Sequence, residues 1–295
     1  MRLKKLLLFI TVLLFYNQHA IAQITNQKPV IVRMSSTYTS FPDTGRANGH
    51  EYDGILYDAK THYNDSSVII VIPPGFIPSE KIDFVFWFHG WRNSIDSSLV
   101  NFHISDQFVA SGKNAILVLA ETAKNAPDTY GGKLQQPMIF SKLVNELISE
   151  LSKKKIISVG SKPNHIILAG HSGGFGVMAY IIKNGGLPVQ EIELFDALYG
   201  HLNIFQDWIL ANNTNRFINL YTNQGATDET TMDFMHELLN DHVSLVFKEE
   251  SGVTPELLAS NRVSFLHSTK GHNEIITHPD NFRLFLEASP FLSKR

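Results

Sequence analysis

Seven short runs of this chain, 67–72, 84–88, 115–120, 165–169, 192–195, 217–221 and 263–266, are apolar, β-branched or aromatic at nearly every position. A strand written this way has no face to leave in water, so both faces must be covered, as in a parallel sheet held between layers of helix. The segments between the runs change period. Met138, Ile139, Leu143, Val144, Leu147, Ile148 and Leu151 recur at the spacing of one helix face and predict a long amphipathic helix ending near Lys155. Further helices are expected over 175–183, over 230–240 and from Asp280, a candidate N-cap, to Ala288. Strand and helix alternate along the chain, which predicts a layered α/β fold with right-handed crossovers.

Within that pattern one turn is chemically distinctive. The run at 165–169 leads directly into Gly170-His171-Ser172-Gly173-Gly174, and the helix at 175–183 follows at once. A G-x-S-x-G sequence between a strand and a helix is the nucleophile elbow, in which a tight turn lifts a serine hydroxyl above the sheet edge. The N–H of Gly173 then lies at a helix N-terminus, where it can donate to a developing oxyanion. In open α/β sheets active groups gather at the carboxyl ends of strands. The run at 84–88 ends in His89-Gly90-Trp91, where a second oxyanion donor is expected. The amide of Trp91 is the candidate, with Gly90 allowing the loop to come close.

Composition narrows the class. The first residues, Met1-Arg2-Leu3-Lys4-Lys5, precede an apolar stretch from Leu6 to Tyr16 and small residues at Ala20 and Ala22. That is the form of a secretory signal peptide over 1–22 with cleavage after Ala22, too short in its apolar part to span a bilayer. A secreted or periplasmic protein without a stable membrane anchor is therefore expected. With no cysteine in the chain, neither disulfides nor an acylated cysteine can hold it. The formal net charge of -3 and the lack of a basic cluster beyond the leader argue against nucleic acid as a partner. No composition shift or repeat divides the rest, so residues 66–295 are expected to form one domain, with 23–65 an N-terminal extension packed on or near it. There is no H-E-x-x-H, no dinucleotide turn and no phosphate loop, so no cofactor or metal is expected.

On these motifs the chain resembles the α/β-hydrolases of the secreted esterase and lipase kind, over about 66–290. The resemblance implies a three-layer fold with a mostly parallel central sheet, helices on both faces and a small or absent cap. It also implies a chain order of serine, acid, histidine for a catalytic triad. Ser172 would be the nucleophile. His272, in the loop past the last expected strand, takes the position of the base; His267 at the strand end and His278 before a Pro-Asp helix start remain alternatives. His171 and His89 read as structural.

Two carboxylates compete for the acid. Asp196 ends the run at 192–195 between Phe195 and Ala197, where a buried carboxylate needs a partner such as an imidazole N–H. Asp228 closes Gly225-Ala226-Thr227-Asp228, the G-x-x-D turn common in the family, and is equally comfortable as a solvated turn or helix-cap residue. Asp196 is preferred and Asp228 kept as the alternative.

Such a triad would cleave a carboxylic ester, small or polymeric, through an acyl-enzyme. A peptidase or amidase would use the same residues, and a non-catalytic binding protein could sit on the same fold. Any cap would be one short helix around 203–211. Trp91, Tyr130, Tyr199 and Trp208 are candidates for an aromatic subsite, and the turn-rich segment 41–50, with Arg46 and His50, for a rim of the site.

Overall fold

The computed structural model describes residues 28–295, so the signal peptide expected over 1–22 lies outside the described residues. Nine strands lie side by side in the order β1 (Val30–Ser35), β4 (Ser67–Ile72), β6 (Ile116–Ala120), β5 (Lys81–Phe88), β7 (Lys162–His171), β8 (Glu191–Phe195), β9 (Arg216–Thr222), β11 (Val263–Ser268) and β10 (Val246–Glu249). All neighbours from β6 to β10 are parallel, while β4 runs antiparallel to both β1 and β6. Two further short strands, β2 (His50–Tyr52) and β3 (Ile55–Tyr57), make a separate antiparallel ribbon.

The continuous apolar runs are explained by what covers them. On one face lie α4 (Ile139–Lys153), α5 (Phe175–Asn184), α6 (Leu202–Ala211) and α7 (Asp228–Asn240), packed on Phe84, Phe86 and Phe88 among others. On the other lie α2 (Ile95–Asn101), α3 (Ile104–Ala110), α8 (Pro255–Ala259) and α9 (Asn281–Ala288), packed on Val85 and Trp87. Phe86 meets Phe140 of α4 edge-on at 4.9 Å, and Trp87 meets Phe282 of α9 edge-on at 5.0 Å. Consecutive residues of β5 thus anchor opposite layers. Helix α6 occupies the place expected of a cap, but it packs beside α5 with Ile204, Phe205 and Ile209 in the core. It belongs to the helical layer. Among the described residues no helix is long and apolar enough to cross a membrane.

The sheet order also fixes where a site can form. The connection from β5 goes outward to β6 and that from β7 goes the other way to β8, so the chain diverges between β5 and β7. Phe88 pairs with Gly170 at the carboxyl ends of these two strands. A crevice opens at such a switch point, and both glycine-bearing turns leave the sheet there.

The N-terminal extension is built into this end of the molecule. Its strand β1 is the edge of the central sheet, with Val30 and Ile31 about half exposed. The segment after it is tied to the loop that follows β6. Arg46 grips Asp128 through two hydrogen bonds, Nε to Oδ2 at 2.6 Å and an η nitrogen to Oδ1 at 3.1 Å, and its guanidinium lies 4.6 Å from the Tyr130 ring centre. The Tyr130 hydroxyl donates to Asp43 at 2.6 Å, and Lys133 donates through its Nζ to the Thr37 carbonyl at 2.7 Å. Tyr130 is therefore part of this clamp. Replacing Arg46 by alanine strands an Asp128 side chain that is only 5% exposed. The expected cost is about 2 kcal/mol, read as a lower urea midpoint at unchanged m-value; an unchanged midpoint would show that the clamp contributes nothing.

Candidate active site

Strand β7 ends at His171, and the next residue, Ser172, has φ of +50°. This is the left-handed region, sparsely used by residues with a Cβ and kept only where the surroundings enforce it. One turn of 3₁₀ helix, Ser172–Gly174, then leads into α5. The first N–H groups of a helix have no intrahelical acceptor, so the amide of Gly173 is available at the serine.

The turn after β5 closes over this serine. A Cβ on Gly90 would stand 2.6 Å from Ser172 Cβ and 3.2 Å from its Oγ, so only glycine lets the two turns approach. Arg92 N–H donates to the Ala126 carbonyl at 3.0 Å and Asn125 N–H to the Asn93 carbonyl at 2.7 Å, which pins the turn from outside. Among the described residues the Trp91 amide has no backbone acceptor. The Trp91 indole lies along Gly173 and stays 41% exposed, with Tyr52 of the β2–β3 ribbon edge-on to it at 5.2 Å. Behind the turn His89 bridges the Gly90 carbonyl, 2.8 Å from Nδ1, and the Glu121 carboxylate, 2.6 Å from Nε2.

Asp196 follows β8 with φ of +46° and no exposed surface. His272 Nδ1 donates to its Oδ2 at 2.6 Å, Thr222 donates through its hydroxyl at 2.9 Å and its amide at 3.2 Å, and the Thr227 hydroxyl donates to Oδ1. Burial opposes ionisation here, but the hydrogen bonds from His272, Thr227 and Thr222 outweigh it and hold the carboxyl below its ordinary range. Gly225 lies against this carboxylate so closely that any Cβ would overlap it. Its carbonyl accepts from the Tyr199 hydroxyl at 2.5 Å. Burial first and the Asp196 charge second push the Tyr199 phenol up to about 12, so it stays protonated.

His272 itself is held from behind. The buried His171 donates from Nε2 to the His272 carbonyl at 3.0 Å, with the two rings 4.4 Å apart. Burial, with the neighbouring His272 second, pushes His171 down to about 3, so at neutral pH it is uncharged and carries its proton on Nε2.

The expected residues divide accordingly. Ser172, Gly173, Gly90, Trp91, His272 and Asp196 come together at the carboxyl ends of β5, β7, β8 and β11. Asp228 does not join them; it is the first residue of α7 and makes no hydrogen bond to His272. His267 is bound between Glu249 and Asn223, each at 2.9 Å, and His278 lies on the surface against Thr277. Trp208 departs from expectation, because its indole donates to the Val189 carbonyl ahead of β8, at the opposite end of the strands. Thr222 was not singled out in the sequence, and Gly225 and Thr227 only as neighbours of Asp228 in the G-x-x-D turn; the signal for their present role was small and hydroxyl-bearing residues in the turn after β9.

No protein-family model and no curated protein sequence matches the chain. Solved structures do. A ferulic acid esterase superposes with a TM-score of 0.57 at 12% identity, over 91% of this chain and 100% of that one. A serine-to-alanine variant of the feruloyl esterase module from Clostridium thermocellum, in complex with sinapinate, gives 0.52 at 15% identity over 90% of this chain and 89% of that one. The chain has the α/β-hydrolase fold.

The neutral His171 makes stability depend on pH. Its folded pKa lies below the unfolded value of about 6.5, so the unfolded chain takes up a proton first as pH falls. The stability tied to this residue is complete above that value and drains away below it, by about 2 kcal/mol between pH 7 and pH 5. Imidazole resonances of His171 in NMR spectra are expected not to titrate down to pH 5; a midpoint near 6.5 would contradict the buried neutral ring.

Proposed function

We propose that the protein is an exported serine hydrolase that cleaves a carboxylic ester through Ser172, His272 and Asp196. One observation carries this: the elbow serine at positive φ directly follows His171, whose ring lies 4.4 Å from that of His272, and the Nδ1 of His272 lies 2.6 Å from a fully buried carboxylate. The ester class agrees with the names of the two structural neighbours, and export with the leader-like residues 1–22.

Chemically, Ser172 Oγ attacks the acyl carbon as His272 Nε2 accepts its proton, and the imidazolium is stabilised through Nδ1–H by Asp196. The amides of Trp91 and Gly173 donate to the tetrahedral oxyanion, where fixed donors in a partly dry site are most effective. His272 then returns the proton to the leaving oxygen, and water, activated by the same imidazole, releases the acid and regenerates Ser172. Asp196 serves because it cannot move or be solvated: its carboxylate is ionised and held by Thr222 and Thr227, which fixes the imidazole tautomer with its proton on Nδ1.

Three substitutions test the proposal. A fluorophosphonate probe is expected to label the wild-type chain at Ser172 and not to label Ser172→Ala. Asp196→Asn is expected to lower kcat for p-nitrophenyl ester cleavage by about 10⁴-fold, whereas Asp228→Asn stays within a few-fold. Collapse in Asp228→Asn alone would transfer the acid role to that residue, and equal labelling with or without Ser172 would remove the enzymatic proposal altogether.

A further inference from the structure

We infer that Tyr199 is a positioning residue of the triad: its hydroxyl fixes the turn after β9 and, through that turn, holds the Asp196 carboxylate in place against His272. This rests on the hydrolase function proposed above and adds one side chain to the support of its acid.

A continuous path of hydrogen bonds joins the phenol to the acid. Gly225 packs its backbone on Asp196, since a Cβ there would fall 1.7 Å from Oδ2 and 2.7 Å from Oδ1. Its N–H donates to Thr222 Oγ1 at 3.0 Å, and Gln224 N–H donates to the same oxygen at 3.2 Å. The Thr222 hydroxyl in turn donates to Asp196 Oδ2 at 2.9 Å, the oxygen that also takes the His272 Nδ1–H. The far side of the turn is held by Tyr199, whose hydroxyl donates to the Gly225 carbonyl at 2.5 Å. A carbonyl can only accept, so the direction of this bond is fixed. Among the described residues no other donor reaches that carbonyl. Hydrogen bonds linked in this way polarise and reinforce one another.

Strain explains why the turn needs a clamp. The peptide that carries the Gly225 carbonyl leads into Ala226, which has φ of +61°, a region that a residue with a Cβ keeps only where its surroundings enforce it. The next residue, Thr227, donates through its hydroxyl to Asp196 Oδ1. Releasing the carbonyl therefore lets the strained turn relax and loosens both threonine donors together. Tyr199 lies just past Asp196 in the chain, and its ring centre is 5.9 Å from that of Phe175, the first residue of α5 behind the elbow. The Ser172 hydroxyl is a neighbour of the same phenol. One side chain thus joins the loop after β8, the turn after β9 and the helix that carries the nucleophile. Burial and the Asp196 charge keep the phenol protonated, so the donor persists while the acid is ionised.

Tyr199→Phe tests this, because it keeps the ring against Phe175 and removes the hydroxyl alone. For p-nitrophenyl ester cleavage kcat is expected to fall about tenfold while KM stays within about twofold, and fluorophosphonate is still expected to label Ser172. The low-field proton resonance of His272 Nδ1–H is expected to move upfield or broaden in the same variant. In a Thr222→Val background, Tyr199→Phe is expected to change kcat by less than about twofold, because both substitutions break one path. An unchanged kcat, a rise in KM alone, an unmoved Nδ1–H resonance, or the full loss repeated in the Thr222→Val background overturns the positioning role. A wild-type chain that neither labels at Ser172 nor cleaves any ester instead removes the underlying hydrolase proposal, so the two failures are distinguishable.

Discussion

An ionised carboxylate with no exposed surface is costly unless every lone pair direction is met by a donor, and at Asp196 the donors come from three different segments. Thr222 ends β9, Thr227 begins the turn into α7, and His272 follows β11. These converge because β8, β9 and β11 are neighbours in the sheet and run parallel, so their carboxyl ends open on one side. Asp196 N–H itself donates to the Leu220 carbonyl at 2.6 Å, which carries the β8–β9 pairing one residue past the strand. The acid thus ties three strand ends together, and it is the sheet order that makes such a tie possible.

Backbone strain marks the same places. Ser172, Asp196 and Arg92 all adopt positive φ immediately after or near a strand end, each at a cost of about 1–3 kcal/mol that the rest of the fold must offset. The offsets are visible as close packing: Gly90 over Ser172, Gly225 over Asp196, and the loop at 125–126 gripping the turn that holds Arg92. The extension adds to this from outside. Thr129 O sits against Gly176 at the start of α5, and the adjoining Asp128 is the residue that Arg46 holds. Residues that the sequence assigns to no motif therefore brace the loop lining the elbow.

What could be read in advance follows the burial. Strands covered on both faces announce themselves as apolar runs, and all seven are present with ends shifted by a few residues. Strand β1 escaped because it is an edge with Arg33 in it and only Val32 buried, and β10 because three of its four residues are exposed. The ribbon of β2 and β3 likewise lacks a buried face. At the site, chain order and flanking turns point to Ser172 and His272, and expected burial favours Asp196 over Asp228 without excluding the latter, since both follow strands; in the folded chain it is Asp196 that meets His272. In sequence, the Gly225 to Asp228 turn reads as one that presents Asp228. In the folded chain its glycine admits the Asp196 carboxylate, and the turn contributes Thr227 as a donor; that role depends on a contact across strands that no local pattern encodes.

Strand β8 shows why only one of its acids can face the imidazole as an anion. Glu191, Glu193 and Asp196 are all without exposed surface. Glu191 is balanced by the Arg216 guanidinium and accepts from Ser289 at 2.6 Å. Among the described residues Glu193 finds no hydrogen-bond donor, and burial, reinforced by the Glu191 charge, drives its carboxyl well above the ordinary range. Glu191 and Glu193 alternate onto the α9 face as the pleat requires. Asp196 lies beyond the strand, out of phase with that series, and its side chain meets Thr222 at the end of β9 and His272 after β11. Three like-charged side chains on six residues would repel if all ionised in the interior. With ionisation of Glu193 opposed by burial and Glu191 paired with arginine, Asp196 is the carboxylate of this series that meets an imidazole.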